Sequence, residues 1–230
     1  DEGSVESKAV YSCYGVNIEG EREILGIWIG QSEGAKFWRG VCAELKERGL
    51  DDILIACMDG LKGLPEAIES VFPKVTIQLC IVHQIRNSIK YIPSSRTREF
   101  IKDLKTIYKA TNEKIARRNL EVLEDKWGEK YPHAVASWVK NWEHISAYFQ
   151  YPPTLRKLVY TTNAVEALHR RMRKVTKAKG VFPTSRSLFK MLYLAARDIE
   201  KKIVRVNGWK EIFSSLAVFF GDRFTSKVSA

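Results

Sequence analysis

No stretch of this sequence is apolar for long. The longest runs, such as residues 25–29, are far too short to cross a bilayer. There is no charged-then-apolar leader either, so neither a membrane partner nor export is expected. Cysteine is scarce. Cys13, Cys42, Cys57 and Cys80 are irregularly spaced, and three of them sit inside apolar stretches. That pattern excludes a disulfide framework and predicts reduced, buried thiols in a cytoplasmic protein. Internal repeats and low-complexity segments are absent, which excludes solenoids and arrays.

What remains is the composition of a folded protein. The 230 residues are 45% hydrophobic and 28% charged, enough to bury one large core or two small ones. The net charge of +11 is unevenly spread. Residues 1–80 carry 8 Lys/Arg against 14 Asp/Glu, a net of −6, and residues 81–230 carry 30 against 13, a net of +17. A strongly basic half suits a polyanionic partner such as nucleic acid, and it also suits a merely solvated basic surface.

The order of elements divides the chain. Residues 9–17 and 22–30 read as two strands joined by a turn at Glu19-Gly20-Glu21, a hairpin. Residues 32–47 have helical spacing, with Phe37, Val41 and Leu45 on one face. Residues 53–58 form a short continuous apolar run of the buried-strand type, 61–71 a helix, and 76–79 another short strand. This alternation predicts an α/β core with part of its sheet parallel. From residue 84 to 150 helical periodicity takes over, with no clear strand. Further helices are expected over residues 164–177 and, as the last, 185–204.

Several residues in this frame could carry chemistry. Asp59 directly follows the 53–58 strand, where open α/β sheets place their sites. It could equally cap the next helix. Glu166 opens a helix, and Asn163 stands three residues before it at capping-box spacing. The same helix continues with Arg170, Arg171, Arg173, Lys174, Lys177 and Lys179, and Arg170 and Arg173 share a face with Glu166. A carboxylate beside a cationic face is what phosphodiester cleavage needs, the first to hold a metal and the second the DNA backbone. A solvated face would look the same. Cys80 and His83 form a Cys-x-x-His pair, which supplies fewer ligands than a structural zinc site takes. Trp127, Trp138, Trp142 and Tyr148 could stack on unpaired bases, but their helical spacing favours a core.

Four runs carry a resemblance. They are Gly15-Val16-Asn17-x-x-Gly20-x-Arg22-Glu23-x-Leu25-Gly26, Asp59-Gly60-x-x-Gly63, Cys80-x-x-His83-x-x-Arg86-Asn87 and Thr161-Thr162-Asn163-x-x-Glu166. In this order and spacing the chain resembles the Mutator-type transposases of bacterial insertion sequences, over residues 9–215. The resemblance implies an RNase H-like fold, a mixed sheet flanked by helices, with a large all-helical insertion before the last catalytic carboxylate. On this reading residues 1–83 are the α/β core, 84–153 the insertion, and 154–230 the helices that complete the core. It implies an Asp-Asp-Glu enzyme that cuts and joins DNA with two Mg²⁺ (or Mn²⁺) ions. Asp59 matches the second Asp, Glu166 the Glu, and Cys80 and His83 the family's (Cys/Asp)-x-x-His motif. Arg86 and the basic residues after Glu166 are the implied DNA contacts. The implied partners are terminal inverted repeats, target DNA and further copies of the chain on DNA, in a bacterial, nucleoid-associated setting. The family's first Asp and its N-terminal DNA-binding region find no match here, so these residues alone are expected to be inactive. Two rival functions share the same features: a non-catalytic nucleic-acid-binding module, and a metal-dependent nuclease that does not join strands.

Overall fold

A computed structural model describes residues 5–30, 34–159, 163–201 and 205–226. In chain order its elements are strands β1 (Ala9–Val16) and β2 (Arg22–Gly30), helix α1 (Ala35–Glu47), strand β3 (Ile55–Met58), helix α2 (Leu64–Val71) and strand β4 (Thr76–Leu79). Helices follow: α3 (Ile81–Ile89), α4 (Ser94–Tyr108), α5 (Glu113–Trp127), α6 (Pro132–Lys140), α7 (Trp142–Ser146), a 3-10 turn (Ala147–Gln150) and α8 (Pro153–Val159). The last are α9 (Asn163–Lys179), α10 (Ser185–Glu200), α11 (Trp209–Phe220) and α12 (Asp222–Thr225). The α/β class expected from the sequence holds, with helix predominating. No helix among the described residues is long and apolar enough to cross a membrane. The chain forms two compact units, one of Asp1–Leu50 with Asn163–Ala230 and one of Asp51–Thr162.

The first unit is built on the hairpin. β1 and β2 pair antiparallel from Ala9↔Gly30 to Val16↔Arg22, with an irregularity between Cys13 and Tyr14. The Asn17 side chain shapes the turn by accepting hydrogen bonds from the amides of Glu19 (3.1 Å) and Glu21 (2.9 Å). Gly20 is required there twice over. Its φ is +81°, and a Cβ on it would lie 2.3 Å from the Trp209 ring. Alternation then gives the hairpin two faces. Val10, Tyr14, Ile24, Ile27 and Ile29 pack on Leu168 and Met172 of α9 and Leu192 and Ala196 of α10. Tyr11 points the other way, with its ring 5.0 Å from Phe37 and 4.9 Å from Trp38 of α1.

The sequence reading ended the helices at residue 204 and so missed α11 and α12. The signal was present: Trp209, Ile212 and Leu216 recur at helical spacing and are buried. α10 itself ends at Glu200, and residues 202–204 lie outside the described ones.

The second unit begins with β3–α2–β4. β3 and β4 are parallel, in register from Ile55↔Thr76 to Met58↔Leu79. A β-strand, helix, parallel-strand sequence is the unit that the alternation of apolar runs predicted. Helices α3–α8 bury Phe100, Leu104, Ile107, Leu120, Leu123, Trp127 and Trp138 at 2% exposure or less. Each such side chain stabilises the unit by about 1.5–3 kcal/mol or more. Their polar atoms are satisfied. Trp127 Nε1 donates to Asp103 (2.8 Å), Trp138 Nε1 to the Ser88 hydroxyl (2.8 Å), and Tyr148 to the Tyr108 carbonyl (2.8 Å). Trp127, Trp138 and Tyr148 are therefore core residues rather than base-stacking platforms. Trp142, half-buried, donates to Glu113 and lies under the Arg117 guanidinium.

Candidate active site

Parallel pairing fixes what stands beyond the strand ends. The last paired residues are Met58 and Leu79, so Asp59 and Cys80 are the next residues of adjacent strands. The Cys80 amide closes this end by donating to the Met58 carbonyl at 2.8 Å. Cys80 is also the residue from which α3 springs, with φ −64° and ψ 113° and no side-chain capping bond. His83 falls in the first turn of α3. Its Nδ1 lies 2.9 Å from Asp59 Oδ1. One donor atom from each of Asp59, Cys80 and His83 lies within 4.8 Å of the other two. The Asp59 and His83 side chains are 45% and 26% exposed, whereas Cys80 is buried.

This geometry removes the capping explanation for Asp59. α2 begins only at Leu64, and its cap is Gly63 in the left-handed region at φ 80°. Asp59 engages that stretch only through its carbonyl, which accepts from the Leu61 amide at 2.8 Å. The carboxylate instead faces His83. The sequence kept Asp59 and the Cys-x-x-His pair apart. The signal that joins them was present in the two strand ends, at Met58 and Leu79, once the strands are taken as parallel neighbours.

The other three thiols are held in the protonated form. The Cys57 thiol, pushed up to about 12 by burial and then by Cys80, donates to the Val159 carbonyl at 3.2 Å. Burial likewise lifts Cys13 and Cys42 to about 11. All four cysteines are free, and the three with raised values stay protonated at neutral pH. The expectation of buried thiols thus holds for Cys42 and Cys80, while Cys13 and Cys57 are half-buried.

The remaining sequence candidates fall elsewhere. Arg86 is exposed on α3, one turn beyond His83. Glu166 lies in the first turn of α9, in the other compact unit, and is half-buried. Its capping-box partner Asn163 lies outside the residues whose side chains are described. α9 buries Leu168 and Met172, and His169 Nε2 meets the Ser12 hydroxyl at 2.7 Å. Arg170, Arg171, Arg173, Lys174, Lys177 and Lys179 are all exposed. After Glu166 the helix carries no acidic residue, so its six exposed charged residues are all cationic. Such a face can grip a phosphate backbone.

Comparisons with known proteins agree with one another. Residues 1–205 match the family model described as Transposase, Mutator family. The chain is 45% identical over 226 residues to the transposase for insertion sequence element ISRM3 of Rhizobium meliloti (strain 1021), covering 97% of this chain and 56% of that protein. It is 44% identical over 226 residues to a probable transposase for an ISRM3-like element of Sinorhizobium fredii (strain NBRC 101917 / NGR234), again covering 97% and 56%. A probable insertion-element transposase of Corynebacterium diphtheriae is 37% identical over 241 residues, covering 96% of this chain and 70% of its own length. The chain thus spans a little over half the length of the first two relatives.

Proposed function

This chain belongs to the Mutator family of insertion-sequence transposases, and on that premise we propose that it is the part of such an enzyme that cleaves DNA at insertion-sequence ends and joins the freed strand to target DNA. The observation that carries the reading is Asp59. Its carboxylate stands at the carboxyl end of a parallel strand pair, caps no helix, and has its direction set by His83.

The residues fit a Mg²⁺ or Mn²⁺ requirement. Such ions prefer carboxylate oxygens and keep room for water and phosphate. Asp59 offers a half-exposed carboxylate, and Glu166 would supply another. Thiol and imidazole suit softer metals, so Cys80 and His83 would stand behind Asp59 rather than on the ion. Two bound ions would supply charge neutralisation at the scissile phosphate and activation of the attacking oxygen. His83 holds one Asp59 oxygen and thereby restricts the side chain to one orientation. Arg170, Arg171, Arg173, Lys174, Lys177 and Lys179 would hold phosphates along α9, with Arg86 a further contact. These residues span a little over half the length of the first two relatives, so cleavage is assigned to the whole protein and not to these residues alone.

The same premise supports the finer architecture: an RNase H-like arrangement, with residues 1–83 and 154–230 building the core and 84–153 inserted as a helical body. It also supports assembly as a homo-oligomer on paired DNA ends. The experiment is a product assay with the whole protein, terminal-repeat DNA and an acceptor duplex, with and without Mg²⁺. Joined products that need the metal support transposition. Cleavage without joining indicates a nuclease. Salt-sensitive binding without any metal-dependent product indicates a passive DNA-binding module.

A further inference from the structure

We propose that Asp59, Cys80 and His83 form a binding site for zinc or a similar borderline-soft divalent cation, and that filling it withdraws Asp59 from the Mg²⁺ chemistry. The second half rests on the reading of Asp59 as a Mg²⁺ ligand, whereas the first stands without it.

The sequence offered only a Cys-x-x-His pair, which is short of ligands. The fold adds a third. Because β3 and β4 are parallel and end together at Met58 and Leu79, the chain sets a carboxylate beside the thiol and the imidazole. Thiol, imidazole and carboxylate are the donors that zinc sites draw on. With Zn–S near 2.3 Å and Zn–N or Zn–O near 2.0 Å, tetrahedral ligand atoms stand about 3.3–3.5 Å apart. Asp59 Oδ1 and His83 Nδ1 are at 2.9 Å, and no pair of the three donors exceeds 4.8 Å.

The backbone under the site is fixed. Cys80 is held by its amide on the Met58 carbonyl, and its own carbonyl accepts from Gln84 at 3.0 Å to start α3. Three protein ligands with exposure at Asp59 and His83 leave a fourth position for water, the open type of zinc site. On binding, Cys80 coordinates as thiolate and releases its proton to solvent, and His83 coordinates as the neutral ring. The carboxylate exchanges its hydrogen bond with His83 for the metal. Mg²⁺ does not compete for such a set, since thiolate and imidazole select against it. Zinc and Mg²⁺ would thus draw on one carboxylate through different partners, and zinc would inhibit.

The test is a Co²⁺ titration of the 230-residue chain followed by absorption. The expected result is a thiolate-to-cobalt charge-transfer band with tetrahedral d–d bands, saturating at a single equivalent. Zn²⁺ should displace it and excess Mg²⁺ should not. Cys80→Ser should abolish the charge-transfer band, and His83→Gln should weaken Zn²⁺ binding at least tenfold by calorimetry. No thiolate band in the parent chain overturns the proposal, as does a band that survives Cys80→Ser. The parent spectrum needs no variant, and His83→Gln alters a part-exposed side chain should Cys80→Ser not fold. Zinc binding with cleavage indifferent to Asp59→Asn would keep this site and remove the catalytic reading. Absent zinc binding with cleavage lost in Asp59→Asn would do the reverse.

Discussion

Each compact unit holds a cluster of cations, and the two clusters are built in opposite ways. In the unit of residues 51–162, the cations around Trp127 are paired. Lys126 meets Asp103 at 2.7 Å and Glu99 at 3.0 Å, and Arg96 meets Glu99 at 2.9 Å. This network overlies the buried Trp127, with Arg96 and Lys126 both set over its ring. In the other unit, the six cations of α9 have no ion pair among the described residues, although they stand on one helix. Like charges so close repel one another, which works against the folded state unless a polyanion neutralises them. On the proposed reading the paired set serves stability and the set on α9 binding, and substitutions should separate the two roles.

The largest effect is expected in the helical core. Trp127→Ala removes a side chain that is 1% exposed, together with its bond to Asp103. It should cost about 3–5 kcal/mol, read as a fall in the urea midpoint. A loss below 1 kcal/mol would show that this core is not packed as described. Next is α9. Changing all six of its cations to Gln should weaken duplex DNA binding roughly a hundredfold or more and lower the salt slope by up to about 5. Stability should hold within about 0.5 kcal/mol per site, as for surface changes. Unchanged DNA binding would make the cationic face a solvated one and dissolve the contrast between the units.

The hairpin turn gives a smaller effect. Gly20→Ala meets both a positive φ and the Trp209 ring, and should cost about 2 kcal/mol. If the variant is as stable as the parent, Trp209 does not pack on the turn. Smallest is the pH response of the paired charges. Burial acts to raise the Asp103 carboxyl, but bonds from Lys126 and Trp127 outweigh it and hold it below its ordinary value of 3.8. A carboxyl depressed in the folded state contributes stability that is present above its unfolded value and is lost as pH falls. Below about pH 4 the parent should therefore lose stability more steeply than Asp103→Asn. Equal slopes would show that the pairing contributes nothing.

Much of this contrast was legible in the residues. β4 was read residue for residue at 76–79, because a short β-branched run between turns has few alternatives. α2 was read three residues early, at 61, because the true start depends on Gly63 adopting a left-handed backbone. The same uncertainty left Asp59 open as a cap, since a cap is defined by where its helix begins. The meeting of Asp59 and His83 was missed because it depends on strand register, which spacing within a single strand does not encode. The basic run of α9 was plain in the sequence, but its exposure required knowing that Leu168 and Met172 take the buried face. Glu166 remains a carboxylate assigned by resemblance.

The central claim is that Asp59 and Glu166 are metal-binding carboxylates of one reaction. The most direct measurement is the rate at which the whole protein cleaves terminal-repeat DNA in Mg²⁺, with Asp59→Asn and Glu166→Gln compared with the parent. The metal's contribution of several kcal/mol, at about 1.4 kcal/mol per tenfold, predicts a loss of roughly a hundredfold or more for each, with DNA binding retained. Cleavage at the parent rate in either variant would contradict the account.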